Sequence, residues 1–171
     1  QDLWPESLTA AGGFKNPLIL NFFAKITRLS YKKAEKVLVQ SEGFKEYILK
    51  QDVPEEKLIF YPNSTEAFYK EKPASPDYQK LLPEGFNIIF AGNLGKSQSL
   101  DTLISAAQIV KQKGLPINWV FLGEGRYRET FEKIVEEKGV KENVFLLGSF
   151  PSTEMPNFFA CADALIASLK N

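Results

Sequence analysis

Histidine is missing from all 171 residues, and cysteine occurs once, at Cys161. Without histidine the chain lacks the usual base near neutral pH and the commonest metal ligand, so neither a Ser-His-Asp site nor a histidine-based metal centre can be built from it. A single cysteine excludes an internal disulfide framework and a thiolate metal cluster, and it fits a cytoplasmic environment. Chemistry here rests on carboxylates, lysine and arginine. Net charge is absent too: 21 basic residues balance 21 acidic ones, which argues against nucleic acid as the main partner. No run of about 18 uncharged apolar residues occurs, and the N-terminus lacks the basic, apolar, small-residue order of a signal peptide.

What is present is apolar and aromatic content, 44% and 13% of the chain, enough to bury one good-sized core or two small ones joined by a linker. The chain begins at Gln1 without methionine and stops at Asn171, just after an apolar stretch over 162–169 that reads as a strand lacking its following helix. The expectation is a fragment of something longer.

Along the chain, Ile19, Phe22, Phe23, Ile26 and Leu29 fall at helical spacing over 17–34, with Pro17 at the first position and Asn16 as cap. Lys25, Arg28, Lys32 and Lys36 are placed opposite Phe22, Phe23 and Ile26, with Lys15 just before them. A basic amphipathic helix of this kind over 15–36 can lie on an anionic membrane surface; a solvated face over a packed core explains it equally. Residues 36–40 read as a short strand, Ser41 as the cap of a helix over 42–50, and 57–61 as another short strand halted by Pro62-Asn63. Between 65 and 84, prolines 73, 76 and 83 and mixed charges point to a linker. Trp4, Tyr31, Phe60, Tyr61 and Phe68 read as core and loop anchors.

The second half is more regular. Strands over 87–91, 117–122, 143–147 and 164–169 alternate with helices beginning near 100, 126 and 152. Strands without alternation, each followed by a helix, predict an α/β fold with a doubly wound, Rossmann-like parallel sheet.

The most informative stretch is Asn87-Ile88-Ile89-Phe90-Ala91-Gly92-Asn93-Leu94-Gly95-Lys96-Ser97 running into a helix at Leu100. A strand that ends in a glycine turn and feeds a helix aims backbone N–H groups and the helix dipole at one point, where a phosphate can sit. Gly92 and Gly95 allow close approach and Lys96 supplies a point charge; the glycines are equally explained as turn geometry. Gly95-Lys96-Ser97 is not a nucleoside-triphosphatase loop, because Phe90 stands where that motif needs its first glycine. Gly123-Glu124-Gly125 follows the next strand, but Arg128 replaces the third glycine of the dinucleotide fingerprint and the motif falls in the second βα unit, which argues against a complete NAD site. Ligands in open α/β sheets collect at the carboxyl ends of strands, and Gly92, Gly123 and Gly148 all belong to that edge.

Read together, residues 37–44, 53–64, 90–96 with 100–103, 121–125, 143–148 and 159–164 resemble, in order, the central part of retaining family 4 (group 1) glycosyltransferases. The opening Asp2-Leu3-Trp4-Pro5-Glu6-Ser7-Leu8 is similar to the branch that builds bacterial surface polysaccharides, including lipopolysaccharide O-antigen and capsule. The resemblance implies a GT-B fold of two Rossmann-like domains: 1–64 as the end of the acceptor-side domain, 65–84 as linker, and 85–171 as the start of the nucleotide-sugar-binding domain, with the crossing at Pro62-Asn63. It implies that Gly92, Asn93, Gly95, Lys96 and Ser97 face the donor diphosphate. Gly123, Glu124 and Gly125 would line the nucleotide pocket, and Gly148, Ser149 and Phe150 would present backbone groups near the base, while Asp163 is structural. The family's diphosphate-holding arginine and lysine fall at Asn93 and Gln98, with Lys96 as substitute.

The activity this implies is transfer of a sugar, with retention, from a nucleotide diphosphate sugar to a lipid-linked or saccharide acceptor. The donor is a substrate, and no cofactor or metal is implied. The family's carboxylate pair falls beyond Asn171, so this stretch alone is expected to be inactive and no catalytic residue is assigned within it. The alternative is a non-catalytic nucleotide or nucleotide-sugar binding module. A response-regulator-like domain lacks its acidic cluster here.

Overall fold

The computed structural model describes Trp4 and residues 16–170; the opening motif over 2–8, apart from Trp4, and Lys15 lie outside the described residues. The chain divides into two units, 1–65 and 66–171.

In the first unit, Asn16 begins helix α1 (Pro17–Lys33) by accepting the Leu18 N–H on Oδ1 at 2.9 Å, with Pro17 at the first turn. Lys57 Nζ donates to the carbonyls of Lys32 and Ala34, both at 2.9 Å, placing positive charge at the helix end. Strands β1 (Val37–Val39) and β2 (Leu58–Phe60) pair in parallel, Val39 opposite Phe60. Helix α2 (Glu42–Leu49) connects them, started by Ser41 Oγ, which accepts the Phe44 N–H at 3.3 Å. Val39, Ile48 and Val53 are the buried centre of this βαβ unit.

Two expectations fail here. Phe60 and Tyr61 are exposed rather than buried anchors. In α1 the half-buried side is Leu20, Phe23, Ala24, Thr27 and Tyr31, while Phe22 and Ile26 face outward. Neighbouring helical residues point about 100° apart, so Phe22 and Phe23 cannot share a face; Lys25 flanks Phe22, whereas Arg28 lies on the side opposite Ile26 and donates to Gln51 Oε1 at 3.4 Å.

The second unit opens with residues 66–84, which form no free linker. Helix α3 (Pro76–Gln79) packs here, Tyr78 meets Phe158 edge-on at 5.0 Å, and Leu82 is buried with Ile89 and Val120. Of the prolines that suggested a linker, Pro76 begins α3.

Strands β3 (Phe86–Ala91), β4 (Ile117–Leu122), β5 (Val144–Gly148) and β6 (Ala164–Leu165) form one parallel sheet in the order β5-β4-β3-β6. The order reverses beside β3, which makes its carboxyl end the topological switch point of a doubly wound sheet. Helices α4 (Leu100–Gln112) and α5 (Arg128–Glu137) cover one face, where Ile88, Phe90, Trp119, Phe121 and Val144 meet Leu103, Ile104, Phe131 and Val135. Helix α6 (Met155–Ala160) and α3 cover the other, where Ile89, Val120 and Leu122 meet Phe158 and Leu82. Both faces are covered, which explains the unalternated apolar strands.

Helices α4 and α5 end alike. Gly114 (φ +66°) donates to Lys111 and Leu115 to Val110; Gly139 (φ +63°) donates to Glu136 and Val140 to Val135. These paired closures turn the chain back toward the next strand.

The last strand is shorter than the expected 164–169. After Ile166 donates to the Ile89 carbonyl, the chain leaves the sheet, and Ser168 Oγ and the Lys170 N–H bond to the carbonyls of Gln98 and Ser97. Asp163 has the structural role expected of it: its Oδ2 accepts the Asn87 N–H at 2.7 Å, joining β6 to the start of β3.

Phe131 is fully buried between α5 and the sheet, edge-on to Phe121 at 4.7 Å. Phe131→Ala is expected to lower unfolding free energy by about 3–5 kcal/mol, read from urea denaturation.

Candidate functional site

The carboxyl edge of the second sheet is built from backbone. Beyond the strands the hydrogen-bond ladder continues into the turns: Gly92 N–H donates to Leu122 O at 2.9 Å, Gly123 N–H to Gly148 O at 2.7 Å, and Leu94 N–H to Glu124 O at 2.9 Å. Tyr127 N–H returns to Leu94 O at 3.0 Å. The pairing slips by one residue in β5, so that Leu122 faces Gly148 (φ +83°) and the Gly148 carbonyl reaches Gly123.

Glycine is required where the turns touch. Gly123 has φ +150°, and a Cβ there would stand 1.8 Å from the Gly92 carbonyl oxygen; at Gly125 it would stand 2.2 Å from the Leu94 oxygen. Both contacts are far inside van der Waals distance, so only hydrogen fits.

Above this edge lies a cavity of about 360 Å³, within the range of small-molecule sites. Its floor is Ala91, Gly92 and Asn93 after β3 and Leu122, Gly123 and Glu124 after β4. Ser149 and Phe150 after β5 close one side. Tyr69, Ser152, Met155 and Phe159 complete the wall.

Of the residues picked out in the sequence, the structure brings Gly92, Asn93, Gly123, Glu124, Ser149 and Phe150 together around one space. Gly125 and Gly148 are not in its lining: Gly125 packs against the Leu94 carbonyl and Gly148 accepts the Gly123 N–H. Gly95, Lys96 and Ser97 stand outside the cavity lining, on the turn before α4, with Lys96 exposed.

The expected ring of phosphate-facing amides is thinner than the sequence suggests. The N–H groups of Gly92, Leu94 and Gly123 are engaged by neighbouring carbonyls, and that of Gly95 bonds Asn93 O at 2.9 Å. Among the described residues of this turn, the amides of Asn93, Lys96 and Ser97 make no backbone bond. Tyr69 and Phe159, stacked at 6.3 Å and 23°, were missed as wall residues: Tyr69 lies in the supposed linker, and Phe159 shares its helical spacing with core residues.

Charge at the cavity is muted. Glu124 is the only ionisable carboxylate in its lining, and Arg128 NH1 bonds Glu124 while Arg128 Nε bonds Glu132 at 2.9 Å. The site can hold a ring between aromatic walls and hydrogen-bond it through backbone and hydroxyl groups. Among the described residues no group of three or more His, Cys, Asp or Glu is placed to hold a metal, and no helix is long and apolar enough to cross a membrane.

Tyr127 ties the turn after β4 to the start of α4, its hydroxyl donating to Asp101 Oδ1 at 2.8 Å. Burial, and then the Asp101 carboxylate, push its pKa above the ordinary 10.0. The neutral form is therefore the one the fold favours. Its contribution to stability is fully present below about pH 10 and is lost as pH rises through the raised value. Tyr127→Phe is expected to flatten the alkaline limb of a thermal-stability profile taken from about pH 8 to about pH 11.

The glycine contacts give a second test. Gly123→Ala is expected to cost more than about 3 kcal/mol in chemical denaturation, through clash and strain together. Gly114→Ala, at φ +66° with nothing within 4 Å, is expected to cost only about 1–2 kcal/mol.

Comparison with known proteins agrees with this geometry. The chain is 25% identical over 144 residues to WcaI of Escherichia coli, named for colanic acid biosynthesis glycosyl transfer, covering 81% of this chain and 35% of that protein. It is 25% identical over 176 residues to WbjE of Pseudomonas aeruginosa, named as a glycosyltransferase, covering 99% and 43%. The chain thus spans less than half the length of these relatives. Among solved structures it superposes on Anabaena HepE in complex with UDP and glucose with a TM-score of 0.69 at 17% identity, covering 85% of this chain and 41% of that one. S. aureus TarM, solved with UDP, gives 0.65 at 22% identity, covering 84% and 27%. These likenesses identify the fold as parts of a GT-B glycosyltransferase. The family described as glycosyl transferases group 1 matches residues 75–171, and the chain belongs to that family.

Proposed function

We propose that this chain supplies the donor-binding floor of a retaining glycosyltransferase that moves a sugar from a nucleoside diphosphate sugar to a lipid-linked or saccharide acceptor in bacterial surface polysaccharide assembly. The observation that carries this reading is the cavity at the carboxyl edge of β3, β4 and β5, with glycine turns for a floor and aromatic walls. UDP in the structures of similar fold supports a uridine donor. In this reading unit 66–171 belongs to the nucleotide-sugar-binding domain and unit 1–65 to the acceptor-side domain.

The nucleoside enters between Phe150, Phe159 and Tyr69, with Ser149 and the nearby backbone reading the edge of the base. The diphosphate extends over Asn93 toward Lys96 and Ser97, where unengaged amides and the α4 N-terminus meet its charge. As the glycosidic bond breaks, negative charge grows on the leaving diphosphate. Fixed dipoles and the Lys96 ammonium stabilise that charge more than they stabilise the ground state. This stretch contributes binding and leaving-group stabilisation, with Glu124 paired to Arg128.

A non-catalytic nucleotide-binding module is favoured by one observation, that engagement of Glu124. Assaying the intact protein for sugar transfer separates the two readings. Calorimetric titration with UDP, uridine and pyrophosphate tests the site itself. UDP is expected to bind more tightly than either part and to protect residues 92–97 from hydrogen exchange. Lys96→Ala is expected to weaken UDP by about 1–2 kcal/mol, the scale of a charge-assisted hydrogen bond. Equal affinity for UDP in the variant and unchanged protection would overturn the assignment.

A further inference from the structure

Ser152, Met155 and Phe159 line the cavity from the turn before α6 and from α6 itself. Side chains three and four residues apart share a helical face, so this segment presents one stripe to the guest, with Met155 in its middle. Met155 also differs from its neighbours in depth. It and Leu122 are the buried members of the lining, at 9% and 2% exposure, whereas Asn93, Glu124, Ser149 and Ser152 are exposed. The inner end of the cavity is therefore apolar, made of one strand residue and one methionine.

The other walls have little room to retreat. Phe150 is backed by Phe158 at 4.6 Å, and Phe158, fully buried, is backed in turn by Tyr78 at 5.0 Å. Leu122 is held in β4 between its register partners Ala91 and Gly148. The floor is main chain, packed at Gly123 too closely for a Cβ. Met155 is the unbranched, flexible side chain of the set, and it belongs to the core cluster of Leu82, Ile89 and Phe158. A thioether chain of this kind fills whatever space the core leaves. How deep a planar ring can enter then depends on where that chain ends.

We infer that Met155 determines the size of nucleobase the cavity accepts, leaving depth for a single-ring pyrimidine and refusing a two-ring purine. This role rests on the nucleoside position proposed above and adds to it the class of base. One apolar side chain selects by bulk, because a ring that must displace it forces the surrounding core off its packing. Recognition of the base edge stays with Ser149 and the nearby backbone. Selection is a difference between two affinities, so it is read separately from the strength of binding.

The test is calorimetric titration of the full chain with UDP, CDP and GDP. The parent is expected to bind GDP at least about tenfold more weakly than UDP. Met155→Ala is expected to narrow that ratio about tenfold or more, chiefly through a gain for GDP. The ratio of UDP to CDP, both single-ring, is expected to stay as it was. Met155→Leu, close in volume, is expected to keep most of the discrimination. Leu82→Ala truncates the same core cluster outside the cavity lining, and is expected to lower the melting temperature while preserving the UDP-to-GDP ratio. A parent that binds GDP as well as UDP overturns the role of Met155. So does a ratio unmoved in Met155→Ala, or one moved equally by Leu82→Ala, and each of these leaves the nucleotide site standing. A parent that binds none of the three refutes the nucleotide site itself, and the role of Met155 with it.

Discussion

The close approach of the turn after β3 to the turn after β4 governs the second unit. Gly123 lies against the Gly92 carbonyl and Gly125 against that of Leu94, at separations that leave no room for a side chain. Four backbone hydrogen bonds among these turns and Gly148 extend the sheet past the ends of its strands. The result is a cavity floor whose shape is set by main-chain contacts alone.

That construction also limits what the floor can offer. Amides engaged in stitching one turn to the next hold the cavity open but are not donors to a guest. The amides left unengaged by other backbone groups in this turn are those of Asn93, Lys96 and Ser97, toward the start of α4. Shape belongs to the buried ladder, and charge belongs to the rim. The loop after β6 reinforces this division, because Ser168 and Lys170 grip the carbonyls of Gln98 and Ser97 and so steady the turn that carries Lys96.

Features that depend on neighbours in sequence were legible from the residues alone. Asn16 and Ser41 cap the helices assigned to them because a short polar side chain reaches an amide two or three residues on. The four apolar runs of the second half became four parallel strands, and the corners at 92, 123 and 148 met on one edge, as alternating strands and helices require. Features set by distant contacts were not legible. Tyr69, Tyr78 and Leu82 look like spacer residues until the far side of the sheet claims them. No local pattern reveals that Gly92 and Gly123 donate sideways to Leu122 and Gly148. In α1 the apolar spacing marks a helix correctly but cannot say which of two faces lies inside.

A floor made of main chain has an evolutionary corollary. Its geometry asks for hydrogen at a few α-carbons and is otherwise indifferent to side-chain identity, whereas Tyr69, Ser149 with Phe150, and Met155 with Phe159 hang from three segments around the opening. Those positions can drift one at a time, reshaping which guest is accepted while the platform beneath persists. Diversification of guests within such a scaffold then needs no new architecture, only new wallpaper.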